Sequence, residues 1–265
     1  MSKFKKVIIP FLILVFLSGF LIVRFIQEQY VVPILMYHSI VHVAAPQSRL
    51  SVSVEAFERQ MHFLKEHHYN VIPLEELGNL IREKKRIPPK SVALTFDDGY
   101  KDNYSLAFPI LKKYNFPATF FIIIKEVGRA ANDRLSWEEI LLMQGSGLIT
   151  FGSHCLGPEP LVNLKEEQQI KKEIFESKKI LEEKLGRPVS IFSYPEGRFN
   201  DKIKGLVESA GYKFAVVGSP RKKIPNNDIF LLKRLRISEN SNNLFVFRIE
   251  TSGFYTFIRE HRYKH

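Results

Sequence analysis

Two adjacent carboxylates, Asp97 and Asp98, are the strongest sign of chemistry in this sequence. They follow Ser91–Phe96, where large apolar residues alternate with smaller ones and predict a short strand. Two acids at the end of a buried strand repel each other, and a bound metal ion would offset that cost. One acid could bind the ion while the other takes a proton from a bound water. The alternative is a simple turn at Asp97-Asp98-Gly99, because Asp and Gly favour turns.

Strands and helices alternate along the part of the chain that carries these acids, which is typical of a parallel β/α architecture. Several candidate residues fall at the C-terminal ends of predicted strands, where β/α barrels place their catalytic residues. They are Asp97, Asp98, His38, His154 and the Tyr194-Pro195 pair. The pattern alone also allows an open, doubly wound sheet. We further predict a loop from His38 through Arg49, a helix over Asn103–Tyr114 begun by Asp102 or Asn103, a last strand over Ile229–Ile237 and a closing helix over Leu244–Arg262.

The N-terminus predicts attachment to a membrane. Residues 1–6 are a basic flank with three lysines, and residues 7–26 are an apolar run close to the length that crosses a bilayer. The lysines favour a cytoplasmic N-terminus and place the rest of the chain on the extracytoplasmic side, in the periplasm or at the cell surface. A cleaved signal peptide is the alternative. Residues 27–32 are then a linker, and 33–265 form one domain.

Composition excludes several classes of protein. The single cysteine, Cys155, rules out an internal disulfide and a cysteine-rich zinc module. The net charge of +11 suggests nucleic-acid binding, but the basic residues are spread along amphipathic helices and in the N-terminal flank. We therefore expect no nucleic-acid partner. Attraction to an anionic envelope polymer or lipid surface fits the charge better.

The motif Thr95-Phe96-Asp97-Asp98-Gly99 resembles the signature of the polysaccharide deacetylases, the NodB-homology proteins of carbohydrate esterase family four. Further resemblance runs from Pro33–His38 through Phe192–Pro195 to Leu232–Ile237, with the core motifs beginning at about residue 90. The resemblance implies a distorted seven-stranded (β/α) barrel. It also implies a metal-dependent hydrolase that removes acetyl groups from N-acetylated sugars by cleaving non-peptide C–N bonds, and so a polysaccharide substrate.

The same resemblance assigns roles to individual residues. It implies that Asp97 is the general base and that Asp98 and His154 bind a divalent metal, usually zinc. A second metal-binding histidine is expected four residues after His154, where this chain has Pro158. Proline offers no side-chain ligand, so only two protein ligands would remain. Cys155 or Glu159 could substitute for it.

Two further motifs depart from the family pattern. Tyr194, Pro195 and Glu196 occupy the third motif, where a backbone N–H stabilises the oxyanion and the Glu196 N–H could serve. Ser193 stands where an arginine often orients the base. The resemblance also implies a general-acid histidine near the last strand, but there is none around Arg234–Ser238, and His38 could enter the site instead.

Three functions follow from these observations. The first is a membrane-anchored deacetylase of an envelope or exported polysaccharide. The second, supported by Pro158 and the absent acid motif, is a catalytically impaired protein that binds glycan or a partner at the cell surface. The third is a basic module that binds anionic surfaces.

Overall fold

The structure is a computed structural model that describes residues 16–21, 30–46, 48–129, 133–218, 228–256 and 259. Its strands are β1 (Ile34–Tyr37), β2 (Ser39–Val41), β3 (Ser51–Ser53), β4 (Asn70–Val71), β5 (Ser91–Phe96), β6 (Ala118–Ile122), β7 (Ile149–Ser153), β8 (Ile191–Ser193), β9 (Phe214–Val217), β10 (Leu232–Lys233) and β11 (Leu235–Arg236). Its α-helices are α1 (Val54–Glu66), α2 (Leu74–Arg82), α3 (Phe108–Tyr114), α4 (Trp137–Gly145), α5 (Glu167–Leu185), α6 (Asp201–Ser209) and α7 (Leu244–Glu250). Short 3-10 turns cover Ile124–Glu126, Leu161–Asn163, Pro195–Gly197 and Glu239–Asn242.

The main sheet curls into a nearly closed barrel of parallel strands. Its order is β10-β9-β8-β7-β6-β5-β1-β11, and β4 pairs with β5 outside that path. Because only Arg234 separates β10 from β11, these two pieces act as one closing strand, and the eight strands occupy seven positions. Leu232 pairs with Val216 on one side, and Leu235 pairs with Leu35 on the other. Among the described residues, the seven-stranded barrel expected from the resemblance is therefore present.

Stacked aromatic rings hold the first strands of the barrel to helix α1. The rings of Phe96 and Phe120 lie 4.4 Å apart and nearly parallel, and those of Tyr37 and Phe96 lie 5.2 Å apart. Phe57 of α1 meets both Tyr37 and Phe96 edge-on. All four side chains are fully buried. This packing fixes the ends of β1 and β5, which are the strands that lead into His38 and Asp97.

The predicted loop from His38 to Arg49 is wrong at its start, because Ser39–Val41 is a strand. Ser39–Val41 and Ser51–Ser53 pair in parallel as a small second sheet. Its first strand is held by Asp102, whose carboxylate accepts hydrogen bonds from the Ser39 hydroxyl and, at 3.1 Å, from the Ile40 N–H. Strands this short carry too little periodicity to be read from sequence.

The prediction that Asp102 or Asn103 caps the following helix is wrong, because neither side chain makes a capping hydrogen bond. Asn103 Nδ2 donates to the His38 carbonyl at 2.7 Å and to Asp102 Oδ1 at 2.8 Å. The segment Asn103–Ala107 is a π-helix, and α3 begins only afterwards, with Pro109 in its first turn. Both polar side chains instead tie this segment to the backbone that carries His38.

The segment that leads into β1 meets the segment that follows α7 at the N-terminal end of the barrel. The Val31 N–H donates to the Gly253 carbonyl at 2.8 Å, and the ring of Tyr30 lies against Phe254. A Cβ at Gly253 would stand 2.2 Å from the Tyr30 ring, so only glycine fits there. The predicted helix over Leu244–Arg262 is interrupted. Helix α7 ends at Glu250, a turn follows in which Gly253 has a φ of +81°, and residues 255–256 and 259 are helical again.

Most of the predicted membrane anchor, residues 7–26, lies outside the described residues. Residues 16–21 are helical, and their large apolar side chains are exposed. No helix within the described ranges is long and apolar enough to cross a bilayer. The anchor therefore stays a prediction.

A chain of buried polar groups links β1 to α7. The Tyr37 hydroxyl donates to Gln60 at 2.9 Å, and Gln60 donates to the Ser241 carbonyl at 2.9 Å. The Ser241 hydroxyl donates to Glu250 at 3.2 Å. Burial raises the pKa of Glu250 to about 7, against smaller lowering effects from Ser241 and Arg259. Near neutral pH this carboxyl therefore opposes folding when it ionises.

Replacing Glu250 with Gln should remove a pH dependence of stability. The folded protein holds the Glu250 proton more tightly than the unfolded chain, so the parent is most stable below about pH 4.5 and loses stability as pH rises through about 7. At pH 8.5 the Glu250→Gln variant should exceed the parent by up to about 3 kcal/mol in urea unfolding. The difference should vanish at pH 4. The exposed Glu66→Gln serves as control, and equal pH slopes for parent and Glu250→Gln would contradict this account.

Candidate active site

Asp97 is buried at the end of β5 and paired with a buried arginine. Arg234 Nη1 and Nη2 each stand 2.6 Å from one oxygen of the Asp97 carboxylate, and Arg234 is only 1% exposed. Burial would raise the pKa of Asp97, but the Arg234 guanidinium, with smaller contributions from His154 and His38, lowers it to about 2. The carboxylate is therefore held ionised in one orientation.

Arg234 joins the two halves of the closing strand and reaches across the barrel. Its Nε donates to the Val217 carbonyl at 3.2 Å, and its Nη2 donates to the Ser193 hydroxyl at 2.9 Å. Its guanidinium also lies 5.3 Å from the centre of the Phe121 ring. These contacts come from three further strands, so the orientation of Asp97 depends on closure of the barrel.

No role for Arg234 was predicted, although Ser193 indicated that an arginine near Asp97 is missing. Ser193 stands where the family often has that arginine, and the serine hydroxyl now accepts from Arg234. A guanidinium thus reaches the carboxylate from the closing strand. The available signal was the presence of basic residues, Lys233, Arg234 and Arg236, within the predicted strand Ile229–Ile237, where an unpaired buried charge would be costly.

Asp98 and His154 converge at the same end of the barrel. Asp98 Oδ1 lies 3.5 Å from His154 Nε2. The backbone at Asp98 has a φ of +71°, a left-handed conformation that Asp and Asn tolerate better than most residues. The other nitrogen of His154, Nδ1, lies 2.8 Å from the Ser193 carbonyl. It must donate there, which leaves the Nε2 lone pair directed to the side of Asp98.

The loop after His154 does not bring a third ligand to this pair. Pro158 and Glu159 are both exposed, and the Glu159 carboxylate accepts a hydrogen bond from Asn163 Nδ2 at 2.5 Å. The Cys155 thiol is buried in the apolar core. Burial raises the pKa of Cys155 well above its usual range, which disfavours the thiolate that a metal binds. Within the described ranges, no group of three His, Cys, Asp or Glu residues is placed to hold a metal ion.

Three backbone contacts hold that loop. The Ile124 and Lys125 N–H groups donate to the Cys155 and Leu156 carbonyls at 3.2 and 2.8 Å. The Gly157 N–H donates to Glu173 of α5 at 2.8 Å. With the three residues before Pro158 attached in this way, the loop presents position 158 to solvent.

His38 follows β1 and is buried beside the two carboxylates. Burial lowers the pKa of His38, and the nearby charges of Asp97 and Asp98 act in the opposite direction. Its Nδ1 has no hydrogen-bond partner among the described residues. A buried, neutral imidazole with an unpaired nitrogen is available for a proton or a ligand.

The third motif forms a tight turn beside the pair. The ring of Tyr194 is buried in the core against Phe192 and Phe199. Pro195 begins a 3-10 turn, and Glu196 adopts a left-handed φ of 56°. The Glu196 side chain is exposed, 3.5 Å from Arg198, and its N–H has no backbone acceptor among the described residues. An N–H of this kind could serve as an oxyanion donor.

Comparison with known proteins agrees with this geometry. The sequence model described as polysaccharide deacetylase matches residues 84–215. A Bacillus subtilis (strain 168) protein, YxkH, whose name assigns it to the polysaccharide deacetylases, is 34% identical over 206 residues, covering 78% of this chain and 71% of its own. The chain belongs to the polysaccharide deacetylase family. This is the NodB-type family of carbohydrate esterase family four, whose members are carbohydrate deacetylases and therefore hydrolases.

One further relative and one solved structure are similar to most of this chain. A Staphylococcus aureus (strain N315) poly-beta-1,6-N-acetyl-D-glucosamine N-deacetylase is 31% identical over 204 residues, covering 72% of this chain and 69% of its own. The solved structure of the Streptococcus pyogenes deacetylase PplD, in complex with acetate, is 29% identical and superposes with a TM-score of 0.73. That match covers 82% of this chain and 98% of PplD. The barrel of this deacetylase family is thus present over most of the chain.

Removing the guanidinium from Arg234 should destabilise the fold through Asp97. Arg234→Met leaves a buried carboxylate without its counter-charge, which typically costs about 3–5 kcal/mol. The double variant Asp97→Asn/Arg234→Met should be more stable than the sum of the single losses predicts, by at least about 2 kcal/mol. Urea unfolding at pH 7 measures all four species.

An exposed lysine provides the control for this cycle. Lys179→Met removes a cation whose side chain is 75% exposed, and it should change stability by less than about 0.5 kcal/mol. Additive losses for Asp97→Asn and Arg234→Met would show that the two side chains do not depend on each other.

Proposed function

We propose that this chain is a metal-dependent deacetylase that removes acetyl groups from the N-acetylated sugars of an envelope or exported polysaccharide. The observation that carries the proposal is the convergence of Asp98 and His154 at 3.5 Å, next to the ionised Asp97 at the C-terminal end of the barrel. The similarity to a poly-beta-1,6-N-acetyl-D-glucosamine N-deacetylase supports an N-acetylated glycan as substrate class.

Asp98 and His154 would hold the metal. A carboxylate and an imidazole whose second nitrogen is bound to a carbonyl are a typical pair of ligands for zinc and other divalent ions. The pair fits a divalent cation, with one protein ligand fewer than the three that catalytic zinc sites use. When bound, the cation would polarise the acetyl carbonyl and lower the pKa of water.

Asp97 would take the proton from the attacking water. Arg234 keeps the carboxylate ionised and occupies one lone-pair direction on each oxygen. Each oxygen has about two such directions, so both keep one for a proton. Arg234 is thus a positioning residue that fixes the plane of the carboxylate.

The remaining groups would stabilise the intermediate and complete the proton transfer. The Glu196 N–H would donate to the oxyanion, while the carboxylate of Glu196 stays in solvent beside Arg198. His38, neutral and buried beside both aspartates, would accept on its unpaired Nδ1 the proton that Asp97 takes from the water and pass it to the leaving nitrogen.

Membrane anchoring through residues 7–26, with the barrel on the extracytoplasmic side, completes the proposal. It is supported by the lysines that precede the apolar run and by the exposed apolar side chains of helical residues 16–21. A polymer of the envelope is accessible from that side.

Conservative changes at the two aspartates should separate metal binding from turnover. Asp98→Asn keeps a residue that tolerates the left-handed backbone but weakens the ligand, so zinc affinity should fall at least about 10-fold. Asp97→Asn should change zinc affinity less than about threefold and abolish acetate release from N-acetylglucosamine oligomers. Zinc titration and acetate assay on the same samples give both quantities. Unchanged zinc affinity in both variants would contradict the metal site.

A second candidate function is a catalytically impaired protein that binds glycan. The observation that favours it is the exposure of Pro158, together with the absence of a third ligand from the described residues. Binding of an N-acetylglucosamine oligomer by the parent, without any acetate release at saturating zinc, would select this function.

A histidine at position 158 should not complete the site. The loop is attached through Cys155, Leu156 and Gly157, so Pro158→His would place an imidazole in solvent. We expect zinc affinity and acetate release to change less than about threefold. The exposed Glu159→His is the matched control, because it adds a histidine to the same loop. An increase of 10-fold or more for Pro158→His alone would show that the loop turns inward when metal binds.

A further inference from the structure

An apolar cavity of about 510 Å³ opens at the end of the barrel opposite the active site. Its walls include Ile34, the first residue of β1, and Leu232, the first residue of β10. Leu77 and Ile81 of α2 and the ring of Tyr30 line it as well. The volume falls in the range of small-molecule sites, about 300–1,000 Å³, and the walls are mainly aliphatic.

The rim of this cavity is basic. Lys85 and Arg86 lie on it, in a segment from Arg82 to Lys90 that carries five cations and one acid. That acid, Glu83, pairs with Lys85 at 2.7 Å. Arg86 is exposed, with no ion pair to another described residue, and the buried Lys233 lies on the cavity wall. An apolar pocket with a cationic rim is complementary to an amphiphile with an anionic head and an aliphatic tail.

The position of the cavity relative to the chain identifies the source of that amphiphile. Tyr30 lines the cavity, and only residues 27–29 separate it from the predicted anchor, which ends at residue 26. Four residue steps of extended chain span at most about 14 Å. An anchored barrel must therefore keep this mouth close to the bilayer surface, while the six residues of β5 place Asp97 about 17–20 Å farther away.

We propose that this cavity binds one anionic phospholipid of the membrane. Lys85 and Arg86 receive the phosphate, and an acyl chain enters between α2 and the first residues of β1 and β10. The contact fixes the barrel upright on the membrane, with the active-site end pointing outward. The inference rests on the membrane anchoring proposed above, and the experiment separates the two.

The test uses the full chain in neutral detergent and native mass spectrometry. Dioleoyl phosphatidylglycerol should bind as one molecule per chain and at least about 10-fold more tightly than dioleoyl phosphatidylcholine. Each cation near a membrane surface contributes on the order of 1 kcal/mol, so removing two should weaken binding about 30-fold. The variant Lys85→Glu/Arg86→Glu should therefore weaken phosphatidylglycerol binding at least to this extent and lose the preference for phosphatidylglycerol. Inorganic phosphate alone should not compete.

Two cavity variants test the acyl chain separately from the charge. Ile81→Trp fills the cavity, and Ile81→Ser makes it polar without adding volume; each should weaken phosphatidylglycerol binding about 10-fold or more. The control Lys179→Glu/Lys202→Glu changes the net charge by the same amount on exposed lysines of α5 and α6, and it should bind like the parent. Thermal unfolding confirms that each variant is folded.

The outcomes distinguish the occupants. Equal loss in the control pair would reduce the effect to general charge, and equal binding of the two lipids would overturn the headgroup site. Competition by inorganic phosphate would indicate a soluble anion, and a dimer that excludes lipid would assign the cavity to a second copy. Unchanged phosphatidylglycerol binding in both Ile81 variants would show that no acyl chain enters the cavity and would overturn the proposal. Anchoring is tested separately by cell fractionation. If the full-length parent is not found in the membrane fraction, anchoring is contradicted, whatever the lipid result.

Discussion

The pairing of Asp97 with Arg234 is the interaction on which the rest of the site depends. A carboxylate at the end of a buried strand cannot stay ionised in a dry barrel without a counter-charge, and the guanidinium supplies two hydrogen bonds to it. Arg234 is itself held by Val217 and by Ser193. The carbonyl of Ser193 in turn orients His154. One short piece of β8 therefore organises both the base and the metal pair.

Much of the architecture could be predicted because its strands are buried and its helices amphipathic. The bounds of β5, Ser91–Phe96, agree with the sequence pattern to the residue. Ser39–Val41 and Ser51–Ser53 escaped prediction, because three residues are too few to show a period. The helix expected over Leu244–Arg262 is interrupted, because Gly253 and the packing of Tyr30 against it impose a turn after Glu250.

The candidate site was predictable in its residue types but not in its connections. Asp97, Asp98, His38 and His154 meet at one end of the barrel because the carboxyl ends of parallel strands do so. Arg234 was missed, because its partner lies on a strand far away in the chain and no local pattern reports such a contact. The exposure of Pro158 to solvent could not be predicted either, because it depends on the hydrogen bond from the loop to Glu173 of α5.

The split of the closing strand at Arg234 has a consequence for how the protein is made. Asp97 and Arg234 stand 137 positions apart, and closing so long a loop costs about 4 kcal/mol of chain entropy before any contact repays it. A chain that emerges N-terminus first delivers Asp97 early and Arg234 late. During that interval the carboxylate has no counter-charge and stays hydrated, which disfavours premature burial of its strand. The barrel therefore closes in the same late folding step in which Asp97 becomes a fixed, ionised base.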